Sequence, residues 1–187
     1  MEGVDVKHLV ISGKPSVGKT TLVREVILPW KDSCGGFYTK EMRGDDGERL
    51  GFELVTIDGK ASLFASKDIR GDVKYGKYGV DINALDDIGV TSMESCLNDS
   101  KKRLLVVDEI GAMEVLSDNF RKAALKALGD ESGKAVLATI RSKSQPFTDD
   151  IKRLTGVKMI ELTRENYGSV KARVVKWLEK VHEEQDA

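Results

Sequence analysis

Cysteine is scarce in this sequence. Among 187 residues only Cys34 and Cys96 carry a thiol, too few and too far apart for a disulfide framework or a zinc knuckle. A reducing, cytoplasmic compartment is the expectation that follows. Histidine is as sparse, and His8 and His182 have no partner at metal-ligand spacing, so both read as structural. Charge of one sign is missing too: 30 basic residues face 31 acidic ones, a net charge of −1, which gives no basis for a nucleic acid or an anionic membrane as partner. No apolar run approaches the ~18 residues of a membrane span, and Met1-Glu2-Gly3-Val4-Asp5 lacks the basic start and apolar middle of a signal peptide. Nor is there a repeat, low-complexity tract or linker, so residues 1–187 read as a single domain, long enough to bury roughly 70% of its unfolded surface.

What is present is concentrated near the start. Gly13-Lys14-Pro15-Ser16-Val17-Gly18-Lys19-Thr20 fits G-x-x-x-x-G-K-[ST] at every fixed position. His8–Ser12 reads as a buried strand ending where the glycines begin, and Thr20–Leu28 as a helix starting where they end, stopped by Pro29. In such a loop Gly13 and Gly18 admit backbone angles and close approach that a Cβ would block. Consecutive amides from Gly13 to Thr21 and the positive end of the helix then face a polyphosphate. Lys19 serves as the point charge on the β- and γ-phosphates, and Thr20 offers its hydroxyl to Mg²⁺.

Further along, 35–43 and 49–57 are alternating runs around Gly44-Asp45-Asp46-Gly47-Glu48, a β-hairpin signature with a third strand at 61–65. This insert, about 36–66, is a place for a substrate-facing flap. Residues 70–80 read as a glycine- and lysine-rich loop, and 81–97 as one helix with Ile82, Leu85 and Ile88 inward. Arg103–Glu109 is an apolar strand closed by two acids. Phe120, Ala123, Ala124, Ala127 and Leu128 form one face of a helix capped by Ser117 or Asp118 and ended by Gly129. A strand at 134–140, a short helix at 146–154, a strand at 157–162 and a helix at 165–182 complete the chain. Strands alternating with helices predict an α/β three-layer sandwich with a mostly parallel sheet, its ligand at the carboxyl ends of the strands.

A carboxylate at the end of an apolar strand is costly to leave unpaired but well placed to hold hydrated Mg²⁺ beside a phosphate loop, which assigns Asp108, with Thr20, to the metal. Glu109, one residue on, can orient or deprotonate the attacking water. Lys19 and Glu109 are thus the expected catalytic pair. Arg43, Arg49, Lys77 and Arg141 are candidate charge neutralisers, each also readable as a solvated surface charge; Thr139 can sense the γ-phosphate or simply pack. Tyr38 and Phe37 can stack a base, although hairpin aromatics more often form the core. The reaction expected is hydrolysis of a nucleoside triphosphate to the diphosphate and phosphate. Two alternatives use the same cradle: a small-molecule or nucleotide kinase, for which no arginine cluster follows Ile140, and a slow nucleotide switch that moves the hairpin or the 70–80 loop to bind a partner.

Taken together, Gly13–Leu22, Gly36–Arg43, Arg49-Leu50-Gly51-Phe52, Gly76-Lys77-Tyr78-Gly79-Val80 and Asp108-Glu109-Ile110-Gly111-Ala112-Met113-Glu114 resemble the thermophilic, or cancer-related, nucleoside-triphosphatase family of P-loop proteins. The resemblance implies a RecA-like sandwich and Mg²⁺-dependent hydrolysis of ATP, GTP and other nucleoside triphosphates with relaxed base preference. Three departures stand out. Ser16 replaces a common glycine, Ala112 a frequent lysine, and Asn166-Tyr167 stands where Asn-Arg is expected, leaving that charge to Arg164 if anything supplies it.

Overall fold

The structure, a computed structural model, describes residues 6–129 and 133–183. The first five residues, read above for a targeting signal, lie outside that range. One nine-stranded sheet organises the rest, with β1 (His8–Gly13), β2 (Cys34–Arg43), β3 (Arg49–Thr56), β4 (Ala61–Ser66), β5 (Lys74–Tyr75), β6 (Tyr78–Val80), β7 (Leu104–Ile110), β8 (Ala135–Arg141) and β9 (Val157–Glu161) in the order β5-β6-β4-β3-β2-β7-β8-β1-β9. The four pairings from β2 through β7, β8 and β1 to β9 are parallel. The four from β2 outward to β5 are antiparallel. The sheet is therefore mixed in equal parts where a mostly parallel one is expected from sequence. The first hairpin strand, β2, pairs with β7 on one side and β3 on the other, so the hairpin extends the parallel half.

Helices cover both faces. On one, α1 (Lys19–Ile27) and α6 (Tyr167–Glu183) pack Leu22, Val23, Val26, Val170, Val174 and Leu178 against Leu9, Ile11, Leu104 and Val106. On the other, α3 (Thr91–Asn98), α4 (Asp118–Leu128) and α5 (Pro146–Ile151) lie over Val10, Phe37, Leu105 and Val107. Alternate residues of β1 and β7 serve opposite cores, as a strand covered on both faces requires.

Local chemistry explains most boundaries. After α1, Pro29 enters a 3₁₀ turn over Leu28–Ser33 in place of a further α turn. Ser117 caps α4, its hydroxyl accepting from the Phe120 amide at 3.0 Å, and all five residues of the expected inner face are buried. Two segments differ from expectation. The 70–80 stretch contains the small β5–β6 hairpin rather than only loop, because Gly76 (φ 57°) makes the turn that lets Lys74 pair with Gly79. The helix expected over 81–97 is broken into α2 (Ile82–Ala84), a π turn (Leu85–Val90) and α3. Widening the turn brings Gly89 and Val90 inward, so that a Cβ at Gly89 would sit 3.2 Å from Leu54 Cδ1 and 3.4 Å from Phe37 Cε1. No helix among the described residues is long and apolar enough to cross a membrane.

Candidate active site

The carboxyl ends of β1, β7 and β8 lie side by side and carry the residues with chemical potential. From β1 the chain turns through Gly13–Gly18 into α1. Gly18 has φ +100°, and a Cβ there would also crowd the Tyr167 ring at 3.2 Å; Gly13 is needed for space, since a Cβ would meet the Leu162 carbonyl at 2.8 Å. Ser16, the departure noted above, adopts φ 63°, the left-handed region where glycine is at ease and serine is not. Lys19 is the first residue of α1 and 93% buried, its Nζ donating to the Gly13 and Lys14 carbonyls at 3.1 and 3.2 Å. The same Nζ stands 3.6 Å from Glu109 Oε2.

Asp108 ends the run of fully buried residues on β7 and is itself 0% exposed. Its Oδ1 accepts from Thr139 Oγ1, on β8, at 2.5 Å, while Oδ2 is buried without a hydrogen-bond partner. Burial pushes the Asp108 pKa up to about 6; the Thr139 hydrogen bond and the nearby Thr20 hydroxyl pull it back, and Glu109 pushes further up. Thr20 exerts this pull without closing a hydrogen bond in the geometry. A carboxylate oxygen with no internal donor, beside a threonine hydroxyl and under a phosphate loop, is a donor set that fits a hard divalent cation. Among the described residues no group of three or more His, Cys, Asp or Glu is placed to hold a metal ion.

Glu109 is half-buried and pointed at cations: Lys19 at 3.6 Å and Arg141 Nε at 3.9 Å. Glu114 lies beside it, 2% exposed. A Cβ built on Gly111 would sit 2.6 Å from Glu114 Oε2 and 2.8 Å from Glu109 Oε1, so the two carboxyl groups converge on a bare Cα. Burial first, then the charges of Glu109 and Asp108, push the Glu114 pKa up to about 8, which keeps its carboxyl protonated at neutral pH.

A cleft of about 500 Å³ opens over these groups, bounded by Pro15, Ser16, Gly18, Lys19, Thr20 and Thr21 on one side and by the hairpin strands on the other. Arg43, Arg49 and Arg141 line it; Lys77 does not, being drawn to Glu48 at 3.7 Å and to the Tyr78 ring. Glu41 joins two of the arginines, accepting from Arg43 Nη2 at 2.5 Å and forming an ion pair with Arg49 Nη2. Arg141 donates to the Tyr75 hydroxyl at 3.0 Å, which ties the β5–β6 hairpin across the strand ends.

Sequence reasoning missed three contributors. Arg24 lines the cleft from α1 and lies over the Tyr38 ring at 5.0 Å; its spacing of four from Thr20 was the available signal. Glu114 and Glu41 stand within the two runs that carry the family resemblance, but only a turn and the pairing of β2 with β3 bring them to the site. Phe37 is fully buried against Phe120, and Tyr38 sits beneath Arg24, so neither offers a stacking platform. Thr139 holds Asp108 by its hydrogen bond. Arg164 is exposed and not among the lining residues, and Tyr167 packs at Gly18 with its hydroxyl donating to Glu25 at 3.1 Å.

A family model described as NTPase matches residues 8–175. The chain belongs to this NTPase family. Curated relatives include the nucleoside-triphosphatase THEP1 of Thermotoga petrophila, 42% identical over 162 residues, 87% of each chain. The human cancer-related nucleoside-triphosphatase is 30% identical over 173 residues, covering 86% of this NTPase and 90% of the human protein. The crystal structure of THEP1 from Aquifex aeolicus superposes with a TM-score of 0.82 at 33% identity, covering 92% of this chain and 99% of that one. The Lys19, Asp108 and Glu109 cluster of the NTPase thus sits on a fold shared with solved members of its family.

Proposed function

We propose that the chain works as one P-loop domain that hydrolyses nucleoside triphosphates, ATP and GTP among them, to the diphosphate and phosphate. The observation that carries this is the approach of Lys19 Nζ to Glu109 at 3.6 Å, with the buried Asp108 the residue before Glu109 on β7. In this reading the amides of 13–21 and the α1 N-terminus grip the phosphate tail, and Lys19 exchanges its loop carbonyls for phosphate oxygens. Thr20 and Asp108 are the residues that would hold Mg²⁺, which when bound supplies charge neutralisation at the transferring phosphoryl group. Glu109 orients the attacking water and takes its proton. Arg141, next to Glu109, steadies the charge that develops on the γ-phosphate; Arg43 and Arg49 face the same cleft from the hairpin.

Base preference follows from where the nucleoside extends. In the order β7-β8-β1-β9, Glu109 lies on the β7 side of the loop, so the diphosphate and nucleoside trail toward β9, over Gly18 and Tyr167. Apart from the phosphate loop and α1, the residues lining the cleft come from the other side, and none comes from β9 or α6, which supports broad base acceptance. Phosphate release from ATP, GTP, CTP and UTP tests this: the four turn over comparably, and Lys19→Ala loses most triphosphate affinity or turnover. Undiminished hydrolysis by Lys19→Ala would end the assignment.

A further inference from the structure

In-line displacement brings the nucleophile in from the side opposite the leaving diphosphate. Given the reading above, on which this inference rests, that side is the part of the cleft beyond β7, over β2, β3 and β6. A hydrolase needs room there for one water, ~30 Å³. The cleft measures about 500 Å³, within the range of pockets that enclose whole small molecules, ~300–1,000 Å³. Phe52, on β3, lies two strands beyond β7, or about 10 Å at the ~4.8 Å strand spacing, and Tyr78 on β6 and Tyr75 on β5 line the cleft from strands further out. A triphosphate tail bound at β1 does not fill it.

The lining there has a definite chemistry. Phe52 and Tyr78 pack edge to face at 5.6 Å, and Tyr75 stands at the wall that Arg141 ties down. Lys40, Arg43 and Arg49 supply cationic donors, opposed by Glu41, which pairs with both arginines, and by Glu53 on Lys40. Even so paired, Arg49 keeps a buried Nε that has no acceptor. Arg49 stands over the Phe52 ring at 5.4 Å, and this aromatic wall beside a surplus of cations suits a flat ring carrying a phosphate. We propose that this half of the cleft is an acceptor subsite for a nucleoside monophosphate, and that the protein transfers the γ-phosphoryl group to it as well as to water. Lid arginines missing downstream of Ile140 are supplied instead by the hairpin.

In the transfer, an oxygen of the monophosphate bonds to the γ-phosphorus while the β–γ bridging O–P bond breaks, its electron pair leaving on the diphosphate. Two nucleoside diphosphates result, with no change of oxidation state. The nucleophile needs no base, because a phosphate monoester has a second pKa of about 6 and is already an oxyanion at neutral pH. Hydrolysis needs Glu109; transfer does not.

The test incubates the full-length protein with Mg²⁺ and ATP, alone and with each of AMP, GMP, CMP and UMP, and follows phosphate and both diphosphates by ³¹P NMR or chromatography. The expected result is conversion of at least one monophosphate to its diphosphate with a matching fall in phosphate release. Glu109→Gln should lose phosphate release yet retain transfer, and Phe52→Ala should lower transfer about tenfold or more while phosphate release without acceptor is unchanged. Phe52→Leu, which keeps apolar bulk but no ring, covers the case in which the alanine variant does not fold. No diphosphate from any monophosphate at millimolar concentration, or inhibition purely competitive with ATP, would overturn the proposal. Absence of phosphate release in the arm without acceptor would instead count against the hydrolytic reading.

Discussion

Ser16 and Glu114 show how single residues carry stored cost at this site. At φ 63° a serine is held in a backbone region that costs of order 1 kcal/mol relative to glycine. Ser16→Gly should therefore raise stability by about 1 kcal/mol in urea unfolding, and a fall would show that the loop gains from the serine in some other way. Glu114 has its pKa raised from 4.5 to about 8. A group raised in the folded state contributes fully below its unfolded pKa and loses that contribution as pH climbs to the folded value. Stability of the native protein should thus decline relative to Glu114→Gln between pH ~4.5 and ~8, by at most about 1.4 kcal/mol per pH unit, and run parallel above that. Parallel curves across the whole range would mean that the carboxyl is ionised throughout. The sequence displayed Lys19, Asp108 and Glu109 by spacing alone. It displayed Glu114 and Glu41 only as members of longer runs and hid their place at the site, which depends on a turn and on the pairing of β2 with β3 that no local pattern encodes.

Elements differ in how openly their sequences announce them. The α4 face was legible to the residue because its period runs unbroken from Phe120 to Leu128, between a serine cap and Gly129. The segment 81–97 was not, since packing of Gly89 against Phe37 and Leu54 rewards a widened turn, and that contact is formed with strands more than 30 residues away. Strand β8 joins structure to chemistry through Thr139, whose hydroxyl is the one donor on Asp108 Oδ1 among the hydrogen bonds described. Thr139→Val keeps the shape and removes the donor, raising the Asp108 pKa further. The Mg²⁺ concentration giving half-maximal turnover should rise about tenfold or more, consistent with ~1.5–3 kcal/mol for a hydrogen bond to a charged group. An unchanged Mg²⁺ dependence would place the metal away from Asp108.

For the whole molecule, the sheet's two halves divide the work: the parallel half supplies the phosphate loop and acids, and the antiparallel half walls the cleft. That division was only half visible, because the sequence shows where strands lie but not that the hairpin extends the same sheet through β2. Both cysteines belong to the packed interior, Cys34 at 1% and Cys96 at 2% exposure, and burial pushes their thiols up to about 12 and about 11. Iodoacetamide at pH 8 should leave both unlabelled until global unfolding, so labelling and loss of secondary structure should share one denaturant midpoint. Labelling well before that midpoint would reveal a separately opening edge of the sheet.

The central claim is that Glu109 activates water at a phosphate loop that binds without it. Its most direct test is Glu109→Gln, with nucleotide affinity measured at equilibrium alongside steady-state phosphate release. The account predicts retained affinity and a loss of turnover of at least roughly 10²-fold; turnover close to that of the native protein would contradict it.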